Sequence, residues 1–152
     1  MHELQIVPAE VADCSSLTEI SKAAKAYWGY EQEWLDLWED DLTITPQHLE
    51  KDKIYKLVQL EEILGFCVIS DHEGVLEIEH LWIRPKYIGK GLGKRLLQQV
   101  LDKVITKSHV ALSVVADPNA TGFYEKFGLK TVAYISSQPE GRKLPVMRLP
   151  LN

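Results

Sequence analysis

The stretch LWIRPKYIGKGLGKRLL, Leu81–Leu97, decides how this chain is read. It has the form of a strand end, a proline stop, a glycine-dense turn and an opening amphipathic helix. Gly89, Gly91 and Gly93 leave the backbone bare where the helix begins, so several free amide N–H groups can converge on one anion. Aligned peptide dipoles add roughly half a positive charge at that point. Arg84, Lys86, Lys90, Lys94 and Arg95 surround the turn, and no acidic residue lies between Arg84 and Arg95. In a chain of formal net charge -5, this local reversal of sign points to a phosphate-bearing ligand. The spacing G-x-G-x-G does not fit the dinucleotide fingerprint G-x-G-x-x-G. Nor is it a Walker loop, because Ile88 stands where the first glycine should be and Arg95 where Ser or Thr is needed. A tight turn before a core helix is the plain alternative.

The 152 residues suit one domain, 1–152, large enough for a core without metal or disulfide staples. The only cysteines, Cys14 and Cys67, have no close spacing, as expected of a reduced intracellular protein. Five scattered histidines and no CxxC predict no metal. No basic n-region and apolar h-region open the chain, so no signal peptide is expected. No apolar run approaches the ~20 residues of a membrane span. The acidic balance opposes nucleic-acid binding. Together these features predict a cytoplasmic α/β domain with no membrane or nucleic-acid partner.

Leu4–Val7 reads as a strand closed by Pro8. Leu17, Ile20 and Ala24 recur at helical spacing over about 13–27, with Asp13 as N-cap. Gln32–Leu42 reads as one acidic helix with Leu35, Trp38 and Leu42 on a stripe, and Thr45-Pro46 opens a brief one. Lys53–Leu60, Ile63–Asp71 and Val75–Ile83 read as three antiparallel strands joined by short turns. Leu92, Leu96, Leu97, Val100, Leu101 and Val104 give the next helix an apolar stripe. Val110–Val115 is nearly all apolar, as in a strand buried on both faces and paired in parallel. Asp117-Pro118-Asn119 starts a short helix that Gly128 caps, and Thr131–Ser136 and Pro145–Leu151 are the last strands. The order is β-α-α-β-β-β-α-β-α-β-β.

Two segments carry a resemblance: I-R-P followed by I-G-K-G-L-G, and N-A-T-G-F-Y-E-K-F-G-L at Asn119–Leu129. With the strand order they resemble the GNAT superfamily of N-acetyltransferases across essentially the whole chain. The resemblance departs at Ile88, where the superfamily carries Gln or Arg. It implies a mixed sheet of about seven strands with about four helices, splayed between its parallel fourth and fifth strands. It implies acetyl-CoA as co-substrate, with the pantetheine arm against Leu81, Trp82 and Ile83 and the pyrophosphate at Gly89, Lys90, Gly91, Leu92, Gly93 and Lys94. Asn119 matches an asparagine that contacts the pantetheine arm or caps the next helix. Tyr124 matches the tyrosine that hydrogen-bonds the departing thiolate. Glu79 matches the residue that orients or deprotonates the amine, with Glu77 a second candidate base on the same face unless a bulge intervenes.

The resemblance also places the acceptor against the first helices and the last hairpin. Trp28 and Tyr30, amid Glu31, Glu33 and Asp36, could take a cationic small-molecule amine by cation–π and charge contacts, with His80 facing the same pocket. Arg142 and Lys143 could instead meet a carboxylate. Polyamine-like, aminoglycoside-like and amino-acid acceptors stay open, and protein N-termini or lysines fit less well. A catalytically weak acyl-CoA sensor, or a nucleotide site in a doubly wound fold, are the other readings. The exposed edges of the terminal strands could pair into a homodimer, which no residue decides.

Overall fold

The computed structural model describes residues 3–151. Seven strands form one sheet in the order β1-β2-β3-β4-β5-β7-β6. The strands are β1 (Gln5–Pro8), β2 (Lys53–Gln59), β3 (Glu62–His72), β4 (Val75–Ile83), β5 (Ala111–Val115), β6 (Lys130–Ser137) and β7 (Arg142–Pro150). The three-strand meander is as predicted, and β5 joins β4 in parallel while every other pair is antiparallel.

Helices α1 (Cys14–Tyr27), α2 (Gln32–Leu37), α3 (Glu39–Leu42) and α4 (Pro46–Lys51) precede the meander, α5 (Leu92–Val104) follows it, and α6 (Thr121–Phe127) follows β5. The described residues form six where about four were expected. The expected single helix over 32–42 breaks at Trp38, whose φ of -97° and ψ of 7° leave the helical region. The break orients the Trp38 indole so that Nε1 donates to the Gln138 carbonyl at 2.9 Å. Asp13 stands at the N-cap of α1, as expected, but its side chain makes no cap bond. Its carboxylate instead accepts from the Glu10 amide and pairs with Lys56, both at 2.8 Å.

Each sheet face has its own core. On one, α5 lays Leu96, Leu97 and Val100, all fully buried, against Cys67, Ile69, Leu76, Ile78 and Leu112. Each such side chain contributes about 1.5–3 kcal/mol relative to exposure. On the other, Leu17 and Ile20 of α1 pack on Ile54, Phe66 and Val68.

Strand β4 is paired along only part of its length. It meets β5 through Val75–Ile78, opposite Ala111–Val114, and β5 then stays with β7, leaving Glu79–Ile83 without a neighbour on that edge. The register against β3 also slips, with Val68 opposite His80 but Ile69 opposite Ile78, so Glu79 is the extra residue of a bulge. The bulge flips the alternation. Leu76 and Ile78 face the α5 core before it, and Leu81 and Ile83 do so after it.

Candidate active site

The splay between β4 and β5 opens into a cavity of about 610 Å³. Its lining includes ten of the predicted cofactor residues: Leu81, Trp82, Ile83, Gly89, Gly91, Leu92, Gly93, Lys94, Asn119 and Tyr124. Glu79, His80 and Trp28 reach it as well. Glu77, Lys90 and Tyr30 are not among its walls. Lys90 lies over the Tyr87 ring at 5.7 Å, and Glu77 stays beside Glu79 and His72.

At one end the turn adopts the conformation its glycines permit. Gly89 and Gly91 have φ of +88° and +76°, where a Cβ is strained. Gly91 stands before α5 with no side-chain cap. The first bond of α5 runs from the Arg95 amide to the Gly91 carbonyl at 3.2 Å, so the amides of Leu92, Gly93 and Lys94 have no helical acceptor. Gly93 permits the close approach of Phe123, whose Cε1 would sit 3.4 Å from a Cβ there. The basic surround is thinner than expected. Arg84 bonds the Ile63 carbonyl at 2.6 Å and pairs with Glu19, and Lys86 pairs with Glu62. Lys94 and Lys126 remain at the cavity wall.

Along the gap, the Arg84 amide donates to Leu64 of β3, so by alternation the backbone groups of Leu81 and Ile83 face the unpaired edge. The Trp82 carbonyl points the other way, toward Gly65 of β3, so Trp82 reaches the cavity without the expected backbone contact. A side chain at Gly65 would strike that carbonyl and stand 2.6 Å from Ile83 Cδ1.

Tyr124 lies on α6, which Gly128 ends in a left-handed conformation at φ 107°. Its ring is buried, burial holds its phenol above the ordinary tyrosine range, and its hydroxyl has no partner among the described residues. On β4, Glu79 accepts from the Ser70 hydroxyl at 2.6 Å and is one-third exposed. Burial, then the charge of Glu79, raises the pKa of Glu77. His72 Nε2 lies 3.8 Å from Glu79, and these two with Glu77 bring their ligand atoms within 4.8 Å of one another, a closer gathering than the scattered histidines suggested.

His80 takes its form from Trp82. The indole N–H donates to His80 Nδ1 at 2.9 Å. An indole nitrogen can only donate, so the ring is the tautomer protonated on Nε2. Burial, with a lesser contribution from His48, pushes its pKa down to about 4. At neutral pH His80 is therefore an uncharged N–H donor and not a base.

Of the two aromatic residues expected to meet the acceptor, Trp28 lines the cavity, whereas the Tyr30 ring, with that of Trp38, is occupied by the chain's own cations. Lys25 Nζ lies 4.5 Å from the Trp38 ring centre and 5.2 Å from that of Tyr30, and the Arg142 guanidinium lies 4.4 and 5.3 Å from the same rings. Tyr30 donates to Asp117 at 2.9 Å, and Asn119 Nδ2 donates to the Tyr30 hydroxyl at 3.0 Å. Asn119 thus joins this cluster and does not cap α6, whose N-cap is Ala120. Sequence reasoning does not single out Lys25 or Asp117. The available signal is Lys25 itself, a lysine on the apolar stripe eight residues after Leu17 and four after Ser21, both fully buried.

Residues 16–129 match the model of the acetyltransferase (GNAT) family. The chain belongs to that family. A curated relative, GCN5-related N-acetyltransferase 2, chloroplastic, of Arabidopsis thaliana, is 28% identical over 86 residues, which are 56% of this chain and 31% of that protein. The chain thus spans about a third of the length of the curated relative it matches. Among solved structures, the PaiA N-acetyltransferase of Thermoplasma acidophilum in complex with coenzyme A superposes with a TM-score of 0.80 at 17% identity, over 98% of this chain and 99% of that one. A GNAT family acetyltransferase of Elizabethkingia anophelis with acetyl-CoA bound gives 0.70 at 19% identity, over 97% and 98%. At these identities the structures show a shared fold.

Proposed function

We propose that this GNAT-family acetyltransferase moves an acetyl group from acetyl-CoA to the primary amine of a small molecule, by direct attack within a ternary complex. The observation that carries the reading is the continuity of the cavity. One space is lined by Leu92, Gly93 and Lys94, whose amides are bare, by the unpaired edge of β4, by Tyr124 and by Glu79. The solved relatives bound to coenzyme A and acetyl-CoA support the choice of co-substrate.

Acetyl-CoA supplies a thioester already activated toward amines. The amides of Leu92, Gly93 and Lys94 receive its pyrophosphate, and Lys94 adds charge. The backbone of Leu81 and Ile83 pairs with the pantetheine arm as a neighbouring strand would, and a gap-facing N–H of β4 steadies the carbonyl oxygen as it gains charge. An amine of pKa near ~10.4 must lose a proton to attack. Glu79, which lines the cavity where Glu77 does not, takes that proton directly or through water. As the new C–N bond forms and the C–S bond breaks, the Tyr124 hydroxyl gives its proton to the leaving sulfur, and the second proton shed by the nitrogen passes through water and restores the tyrosine.

The test is acetyl-CoA-dependent thiol release with a panel of small amines. Tyr124→Phe should lower kcat about 10²–10³-fold with little change in acetyl-CoA affinity. An unchanged kcat would remove Tyr124 from the chemistry, and absence of turnover with every amine would remove the transferase reading.

A further inference from the structure

The cluster beneath Trp38 holds more positive charge than negative. Lys25, Arg142 and Asp117 have side chains only 11%, 10% and 9% exposed. One carboxylate serves both cations, with Lys25 Nζ at 2.5 Å and Arg142 Nη2 at 3.5 Å from Asp117 Oδ2. That carboxylate also accepts from the Tyr30 hydroxyl at 2.9 Å, the Asn119 amide at 2.8 Å and Asn119 Nδ2 at 3.1 Å. Its lone pairs are fully used. The other acid acting on Lys25 is Asp41, on the exposed side of α3, which makes no ion pair among the described residues.

A buried cation in excess is costly unless something answers its charge. The faces of Trp38 and Tyr30 answer it in part. Lys25 has three donors and spends one on Asp117. It lines the cavity, whereas Arg142 and Tyr30 do not. The same cavity carries the Glu79 carboxylate on β4, while the Lys25–Asp117 pair stands where the chain leaves β5. The acceptor space therefore has an acidic side on one strand and a net basic side on the other, with the uncharged His80 N–H also in its wall.

We propose that the acceptor is a small aminocarboxylate, an amine and a carboxylate in one molecule, with its carboxylate at Lys25 and its amine at Glu79. This rests on the transferase reading above. It departs from the cationic acceptor that the aromatic residues alone suggested, since the Tyr30 face is already taken by Lys25 and Arg142.

The experiment compares turnover in matched series: a proteinogenic amino acid, its carboxamide and its decarboxylated amine, each with saturating acetyl-CoA. The amino acid should exceed both partners in kcat/KM by about tenfold or more, the scale of one hydrogen bond to a charged group. The difference should lie mainly in KM. Lys25→Met should narrow that ratio and Lys25→Arg should keep it, with thermal unfolding and acetyl-CoA affinity confirming that each variant is folded. If Lys25→Met does not fold, the wild-type ratio decides alone. Equal rates within each series, a preference for the decarboxylated amines, or acetyl-CoA binding with no aminocarboxylate turned over would each overturn the proposal. Failure to bind acetyl-CoA at all would instead strike the transferase reading.

Discussion

His80 gains most of its chemical character from its surroundings. Free histidine titrates near 6.5, and burial here moves that point to about 4. The native state therefore refuses a proton that the unfolded chain accepts across this window. Stability due to this group is fully present above pH 6.5 and is lost as pH falls toward 4, by up to about 3 kcal/mol. Urea midpoints between these limits should fall with pH in the wild type and fall less steeply in His80→Gln. Parallel slopes would mean that His80 is not held neutral. Several residues of the cavity wall are legible in the sequence, because glycines at a helix start and a tyrosine two residues after Gly122 declare themselves in one dimension. The choice between Glu77 and Glu79 is not. It depends on a bulge that periodicity cannot register, and on which carboxylate reaches the cavity. The Lys25–Asp117–Arg142 cluster is hidden because its members lie 92 and 25 positions apart along the chain.

At the scale of elements, the contact between β3 and β4 holds the gap open in its observed shape. Gly65 has no side chain because the Trp82 carbonyl and Ile83 fill the space one would need. Gly65→Ala should cost about 1–3 kcal/mol, the usual range for overpacking, and should weaken acetyl-CoA binding by moving the edge that carries Leu81 and Ile83. Chemical denaturation and titration of the same variant read both effects. A loss of stability without a loss of affinity would mean that β4 does not position the ligand. Strand periodicity, the proline at the start of α4 and the apolar run of β5 make most elements readable. The break between α2 and α3 is not, since it goes with a Trp38 bond to a carbonyl 100 residues later.

At the scale of the molecule, an acidic chain concentrates bare amides at one mouth of a cavity that crosses its sheet. Strand order, with β7 lying between β5 and β6, is a long-range property that no local pattern announces; the family resemblance implied the parallel fourth and fifth strands but not the place of β7. The effect of Ile88 is also decided at this scale. It lines the cavity beside Gly89 and offers no charge, so the proposed pyrophosphate site would rest on the amides and Lys94. The most direct measurement is calorimetric titration with acetyl-CoA of the wild type and of Gly91→Glu, which sets a carboxylate against the open amides and a side chain at φ +76°. The account predicts one-site binding, about micromolar as for typical substrates, in the wild type and its loss in the variant. No binding to the wild type, or equal binding by both, would contradict it.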